Sequence, residues 1–266
     1  MRKSAIMSSL FIICIMFLSG CSTPKGDPKQ VLDNYYQSVK GNNLDTAYNL
    51  LTKTNKEKLS KDDFILYMNL NKETSELKSI KTTKLKDSKN VSIDGNTYKN
   101  VVEFDVVEVQ KRFFENKESE LSYTRSVVND NGEWKVHIDK NYKEAIPTFY
   151  VLIGGMYLDG KGKDKNLNEA AKNFNKAVEL DKNNLEAHYL LATTYSRLKR
   201  YEESNQKANE LISKNPNNDM KSDTYTLIGI NFEYEGDLKK AREYYKQAIE
   251  INPNNEYAKT NISRLK

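Results

Sequence analysis

An α+β domain followed by an all-α solenoid is the fold class that this 266-residue chain predicts. Two changes of period carry the expectation. Between residues 28 and 70, apolar side chains recur every three or four positions, as in helices. After residue 77 they recur every second position, as in strands. From residue 147 onward, one set of helical spacings returns three times, the mark of a stacked repeat. Helices followed by a meander of strands give an α+β layout, with the helices packed on one side of a curved antiparallel sheet.

The first 27 residues stand apart. Arg2 and Lys3 precede an unbroken apolar run from Leu10 to Leu18, and the small residues Ser19 and Gly20 precede Cys21. This is the layout of a secretory signal. The run is far shorter than the ~20 residues that span a bilayer, so it is not read as a transmembrane helix. Leu18-Ser19-Gly20-Cys21 resembles a bacterial lipobox. The resemblance implies that residues 1–20 are a signal peptide and that the Cys21 thiol carries diacylglycerol, in a lipoprotein with palmitate-class acylation. Residues 21–27 then form a short lipidated tether. The expected location is the extracytoplasmic face of the cell membrane.

Composition narrows the rest. Cys14 and Cys21 are the only two cysteines, so none remains for a disulfide or a cysteine-based metal site. The net charge of +5 is spread along the whole chain. A nucleic-acid partner, which calls for a concentrated positive field, is not expected.

Residues 28–140 form the α+β domain. Val31, Leu32, Tyr35, Tyr36 and Val39 make the first helical stripe, Gly41 breaks it, and Leu44, Ala47, Tyr48, Leu50 and Leu51 make the second. Ser60-Lys61-Asp62-Asp63 is a helix start ahead of Phe64, Ile65, Tyr67, Met68 and Leu70. Val102, Phe104 and Val106 alternate as a strand, as do Leu121, Tyr123, Arg125 and Val127, and then Trp134, Val136 and Ile138. Asp94-Gly95 and Asn129-Asp130-Asn131-Gly132 are turns between strands. The Pro28-Lys29-Gln30-Val31 start, the step at 41–48 and the closing strand at 132–136 resemble nuclear-transport-factor-2-like, cone-shaped domains. That resemblance implies a conical pocket that is an enzyme site, a ligand site or empty. Fold alone does not choose among these.

Residues 141–266 form the repeat domain. Tyr150, Ile153, Gly154 and Tyr157 recur as His188, Leu191, Ala192 and Tyr195, and again as Tyr225, Ile228, Gly229 and Phe232. Ala170, Phe174 and Ala177 recur as Ser204, Ala208 and Leu211, and as Ala241, Tyr245 and Ala248. Each unit is thus two amphipathic helices with small residues where they cross. Pro216 and Pro253 follow the second and third units. The pattern over 147–254 resembles the tetratricopeptide repeat (TPR), with about three repeats and a capping helix bearing Ala258, Ile262 and Leu265. The first copy has a lengthened turn, Asp159-Gly160-Lys161-Gly162-Lys163-Asp164, that resembles the Sel-type variant.

The resemblance implies binding of a protein or peptide on the inner face. Tyr189, Thr193, Ser196 and Arg197 are expected there from the second copy, and Thr226, Ile230, Glu233 and Tyr234 from the third. Thr193 and Ile230 stand where a carboxylate clamp would place Asn, so capture of chaperone tails is not expected.

No residue pattern calls for catalysis, a cofactor or a metal. His137 alternates away from Val136 and Ile138, which puts it on the solvent side. His188 occupies a helix-packing position. Asp62-Asp63 is helix-start charge, and Gly160-x-Gly162 lacks the strand and third glycine of a phosphate cradle. Two readings follow: a membrane-anchored interaction module working through its repeats, or a ligand carrier or enzyme using the pocket of the first domain. Tyr, Asp or Arg side chains pointing inward from the sheet favour the second. A pocket plugged by Trp and Phe favours the first.

Overall fold

The computed structural model describes residues 24–139 and 141–265. The expected signal peptide and Cys21 lie outside them. Among the described residues, no helix is long and apolar enough to cross a membrane.

The first helix, α1 (Pro28–Lys40), starts where Asp27 accepts the Lys29 N–H and Pro28 supplies a preset φ. It is followed by α2 (Leu44–Asn49), α3 (Lys53–Lys58) and α4 (Lys61–Thr74). Ser60 caps α4 by accepting the Asp63 N–H at 3.1 Å, as the sequence predicts. Four strands then form an antiparallel meander: β1 (Ser75–Ile93), β2 (Asn96–Arg112), β3 (Lys117–Asp130) and β4 (Glu133–His137). Phe104, Val106, Val127 and Val136 leave one face of the sheet to meet Leu32, Tyr35, Ala47, Leu51 and Phe64 of the helices. Register shifts after Leu77 and Lys84 interrupt the β1–β2 ladder. Such bulges bend and twist a strand. Beside β4, the backbone of residues 50–52 adds a short parallel bridge, in which the Val136 N–H donates to the Leu50 carbonyl at 2.9 Å.

His137 departs from expectation. It does face away from Val136, but that face is not open to solvent, and the ring is fully buried. The polar helix α3 and the far end of the β1–β2 hairpin cover it. Thr52 Oγ1 lies 3.4 Å from Nδ1, and the Tyr98 ring packs alongside. Burial lowers the His137 pKa, and Arg125 and Lys58 act in the same direction; Asp139 and Asp94 oppose them without prevailing. Burial also lowers that of His188.

The unfolded chain takes up protons near pH 6.5, while the native rings resist them. Stability is therefore full above that pH and declines as pH falls below it. The melting temperature is expected to drop between pH 7.5 and 5.5, more steeply in the wild type than in His137→Gln. Equal slopes would remove His137 from the account.

The remaining helices pair in order: α5 (Tyr142–Asp159) with α6 (Leu167–Leu180), α7 (Leu185–Arg197) with α8 (Tyr201–Ser213), and α9 (Asn218–Tyr234) with α10 (Leu238–Ile251). Asn166, Asn184, Asn217 and Asp237 each cap the helix that follows by accepting a backbone N–H. Small residues stand at the crossings, and their size follows the partner. Gly154 faces Phe174 and Gly229 faces Tyr245, whereas Ala192 of the middle pair packs with Ala208. The final helix, α11 (Glu256–Arg264), closes the stack. Ile262 and Leu265 pack on Ala241 and Tyr245, as the terminal apolar stripe predicts.

Two polar clusters tie successive helix pairs together. Asn231 of α9 donates to Ser204 Oγ (2.8 Å) and Asn205 Oδ1 (2.7 Å) of α8, and accepts from the Ser196 hydroxyl of α7 (2.5 Å). Asn255 repeats the device one step later, donating to Ser222 and Thr226 while capping α11. Buried amides of this kind are stable only when fully partnered, and they set the spacing of the elements they join.

Helix α5 serves both halves of the molecule. Tyr142 is buried in the core of the sheet domain, stacked on Tyr67 of α4 at 4.1 Å. One and three turns later, Ile146 and Ile153 bury against Leu70, with Leu66 and Phe149 alongside. The lengthened 159–164 turn adds to this contact. Gly162 (φ +75°) presses so close to Phe113 and Met156 that a Cβ there would come within 2.9 Å of both. Lys161 lies over the Phe114 ring, and Lys163 pairs with Glu73 at 3.3 Å. The inserted residues are therefore a docking segment for the β2–β3 hairpin.

Candidate functional site

Two regions can hold a partner. The first is the run of initial helices, α7, α9 and α11. Tyr189, Asp223 and Tyr257 recur along them at intervals of 34 residues, and Asp223 and Tyr257 both act electrically on Tyr189. Burial raises the Tyr189 pKa, and the charge of Asp223 adds to it. Tyr257 is among the most exposed large side chains, at 79 %. Thr193 is half-buried one turn beyond Tyr189, and Arg197 is exposed at the end of α7, with no ion pair to a described residue.

The expected face is only partly assembled. Tyr234 is exposed, but its ring stacks on Tyr201 of α8 (5.9 Å, 8° between planes), which draws it toward the second helix of the preceding pair. Glu233 is committed inside the stack, where it accepts from the Tyr245 hydroxyl at 2.8 Å and pairs with Arg264 of α11. Thr226 is buried and bonded to Ser222 and Asn255. Ser196 is turned to Asn231. Asp223 and Tyr257 join Tyr189 instead. Their common interval was present in the sequence, but the three-residue offset between the second and third copies hides it from repeat alignment.

The second region is a cavity of about 500 Å³ between the helices and the sheet. Its walls come from Tyr35 and Tyr36 of α1, Tyr67 and Met68 of α4, Glu108 of β2, Tyr123 and Arg125 of β3, and Tyr142 of α5. Lys40 and Lys72 are at its solvent-exposed rim. The Tyr36 and Tyr123 hydroxyls share a 3.0 Å hydrogen bond, and Tyr123 donates in turn to Glu108, which also receives Gln110 Nε2 at 2.6 Å. Burial raises the pKa of Tyr35, Tyr36, Tyr67 and Tyr123, so at neutral pH these rings offer hydroxyl dipoles and π faces, not charge.

Arg125 is the unusual group. It is 4 % exposed, yet among the described residues it forms no ion pair, unlike Arg200 and Arg264. Its guanidinium sits 5.0 Å from the centre of the Tyr123 ring, Nη1 reaches the His137 carbonyl only at 3.5 Å, and Nε has no hydrogen-bond partner. Burial opposes the charge, and the surrounding tyrosines, Tyr142 foremost, outweigh it and hold the guanidinium pKa above its ordinary value. The sequence carried a signal for this group, since Arg125 occupies an inward position of an otherwise apolar alternating strand. Among the described residues, no cluster of three or more His, Cys, Asp or Glu could hold a metal ion.

Comparison with known proteins bears on the helical half. Tetratricopeptide-repeat family models match residues 163–222 and 222–255. The chain is 34% identical over 95 residues to the small glutamine-rich tetratricopeptide repeat-containing protein of Dictyostelium discoideum, covering 36% of this chain and 28% of that one. It is 30% identical over 110 residues to BBSome complex member BBS4 of Bos taurus, covering 41% and 20%. The chain thus spans less than a third of the length of either relative. Among solved structures, the first TPR domain of human RPAP3 is similar at 21% identity and a TM-score of 0.40, over 46% of this chain and 90% of that one. Residues 163–255 of the helical half thus carry tetratricopeptide repeats.

Proposed function

We propose that this protein is a lipoprotein held at the extracytoplasmic face of the cell membrane, where its repeats bind a protein or peptide partner. Residues 1–20 are its signal peptide, Cys21 its diacylglycerol-bearing residue and 21–27 its tether. Residues 28–140 form the sheet domain and 141–266 the binding domain. One observation carries the binding role: the first helices of the repeats and the capping helix leave Tyr189, Asp223 and Tyr257 aligned, with Arg197 exposed nearby and in no ion pair to a described residue. Tyr and Arg are the residue types that most often dominate interface energies.

The test uses photo-crosslinking side chains in intact cells, one at position 197 and one at Lys176 of α6 as a control. A discrete adduct from 197 alone is expected, and it should weaken when Tyr189 and Tyr257 are both Ala. Equal labelling from both positions would remove the binding role from this face. Anchoring is tested separately. Each acyl methylene contributes about 0.8 kcal/mol on burial, so two chains hold a protein stably. Cys21→Ala is expected to release the protein from membranes or leave it unprocessed, and processed protein still in the membrane fraction would refute lipidation.

A second reading concerns the cavity. Its inward tyrosines and Arg125 favour a ligand-holding role for the sheet domain alongside the repeats.

A further inference from the structure

We propose that the sheet-domain cavity binds a small organic carboxylate with a flat apolar body, its carboxylate received by Arg125. The inference rests on the ligand-holding reading of the cavity and adds the chemical class of the ligand. A fully buried cation without a counter-ion is costly to a fold, and breaking up a buried pair leaves the same penalty. Here the protein maintains one whose contacts among the described residues are a carbonyl and tyrosine side chains, with no carboxylate, and whose Nε has no hydrogen-bond partner.

Neither acid in the wall serves it, and Glu76 is paired with Lys78 at 2.7 Å. Glu108 stands opposite Leu121 in the β2–β3 register, whereas Arg125 stands opposite Phe104, four residues further along. Glu108 is moreover occupied by Tyr123 and Gln110. The separation of Glu108 from Arg125 is therefore a feature of the register.

The class of anion follows from the donors. A single guanidinium is the planar fork that matches a carboxylate, and no second cation lines the deep part of the cavity to balance a phosphate dianion. The class of body follows from the walls. Tyr35, Tyr36, Tyr67 and Tyr142 present ring faces and edges, and the volume is that of a small-ligand site. A charged head on Arg125 and a flat apolar body between the rings satisfy both.

The probe is 3-phenylpropanoate, compared with its neutral amide by calorimetry on the full chain. The carboxylate is expected to bind roughly ten- to hundredfold more tightly, the worth of one charge-assisted hydrogen-bonded contact. In the wild type, the Arg125 Nε–H resonance should shift with the acid and not with the amide. Arg125→Met should lose the preference for the acid while melting no lower than the wild type, because an apolar side chain of similar length removes the unpaired charge. Equal affinities for acid and amide would overturn the carboxylate assignment and leave the ligand-holding reading standing. Failure of both at millimolar concentration would overturn the two together. A hexapeptide ending in Phe distinguishes the source: competition by its free acid but not its amide assigns the carboxylate to a chain end, and no competition assigns it to a free small acid.

Discussion

Gly229→Ala is expected to destabilise the protein by about 1–3 kcal/mol, the cost of overpacking a formed core. The added Cβ would lie 2.6 Å from Cε1 and 2.7 Å from Cδ1 of Tyr245. Those ring atoms cannot retreat, because Tyr245 is fully buried and its hydroxyl is held by Glu233. Each kcal/mol corresponds to about 2–4 °C of melting temperature in a chain of this size.

The same substitution should reverse sign in a Tyr245→Ala background. Removing the ring costs about 3–5 kcal/mol by itself, but it recreates the Ala–Ala crossing already used by Ala192 and Ala208. Alanine then gains about 0.8–1 kcal/mol over glycine in a helix interior. Gly154 and Phe174 offer an independent copy, with a Cβ again 2.6 Å from the ring. A Gly229→Ala penalty that is identical in both backgrounds would refute the steric account.

Ile146→Ala is expected to cost about 2–5 kcal/mol, the range for an emptied aliphatic site in a core. Its reach should exceed its own helix. Ile146 lies where α5 passes from the sheet-domain core, at Tyr142, to the repeat stack, and Leu70 of α4 is buried against it. Trp134 is the only tryptophan and is buried in the sheet domain, so its fluorescence reports that half alone. Helical circular dichroism reports mainly the repeats. In the wild type the two signals should melt together, and in Ile146→Ala both should shift downward. Two separate wild-type transitions, with only one moved by the substitution, would show that α5 does not couple the halves.

Periodicity in the sequence determined the elements and their inward faces. The returns of Gly154, Ala192 and Gly229, and of Phe174, Ala208 and Tyr245, located the helix pairs, because a helix must set its apolar stripe at offsets of three and four. Ser60 announced α4, and alternation through Val102, Phe104 and Val106 announced β2 together with the side it buries. Period reports which face of an element turns inward, but not which other element comes to lie on the opposite face. His137 was therefore placed on its correct side and given the wrong surroundings, because α3 and the β1–β2 hairpin reach it from about forty to eighty residues away in sequence. For the same reason Glu233 and Thr226 shared the spacing of an exposed face and were drawn inside by Arg264 and Asn255 of the capping helix. The Gly-x-Gly turn read as an insertion, and only its contact with Phe113 made it a joint. Arg125 was legible as a charge on an apolar strand face. That five tyrosines from four elements surround it while no carboxylate among the described residues reaches it is a consequence of strand register and helix placement, which exist only once the chain has folded.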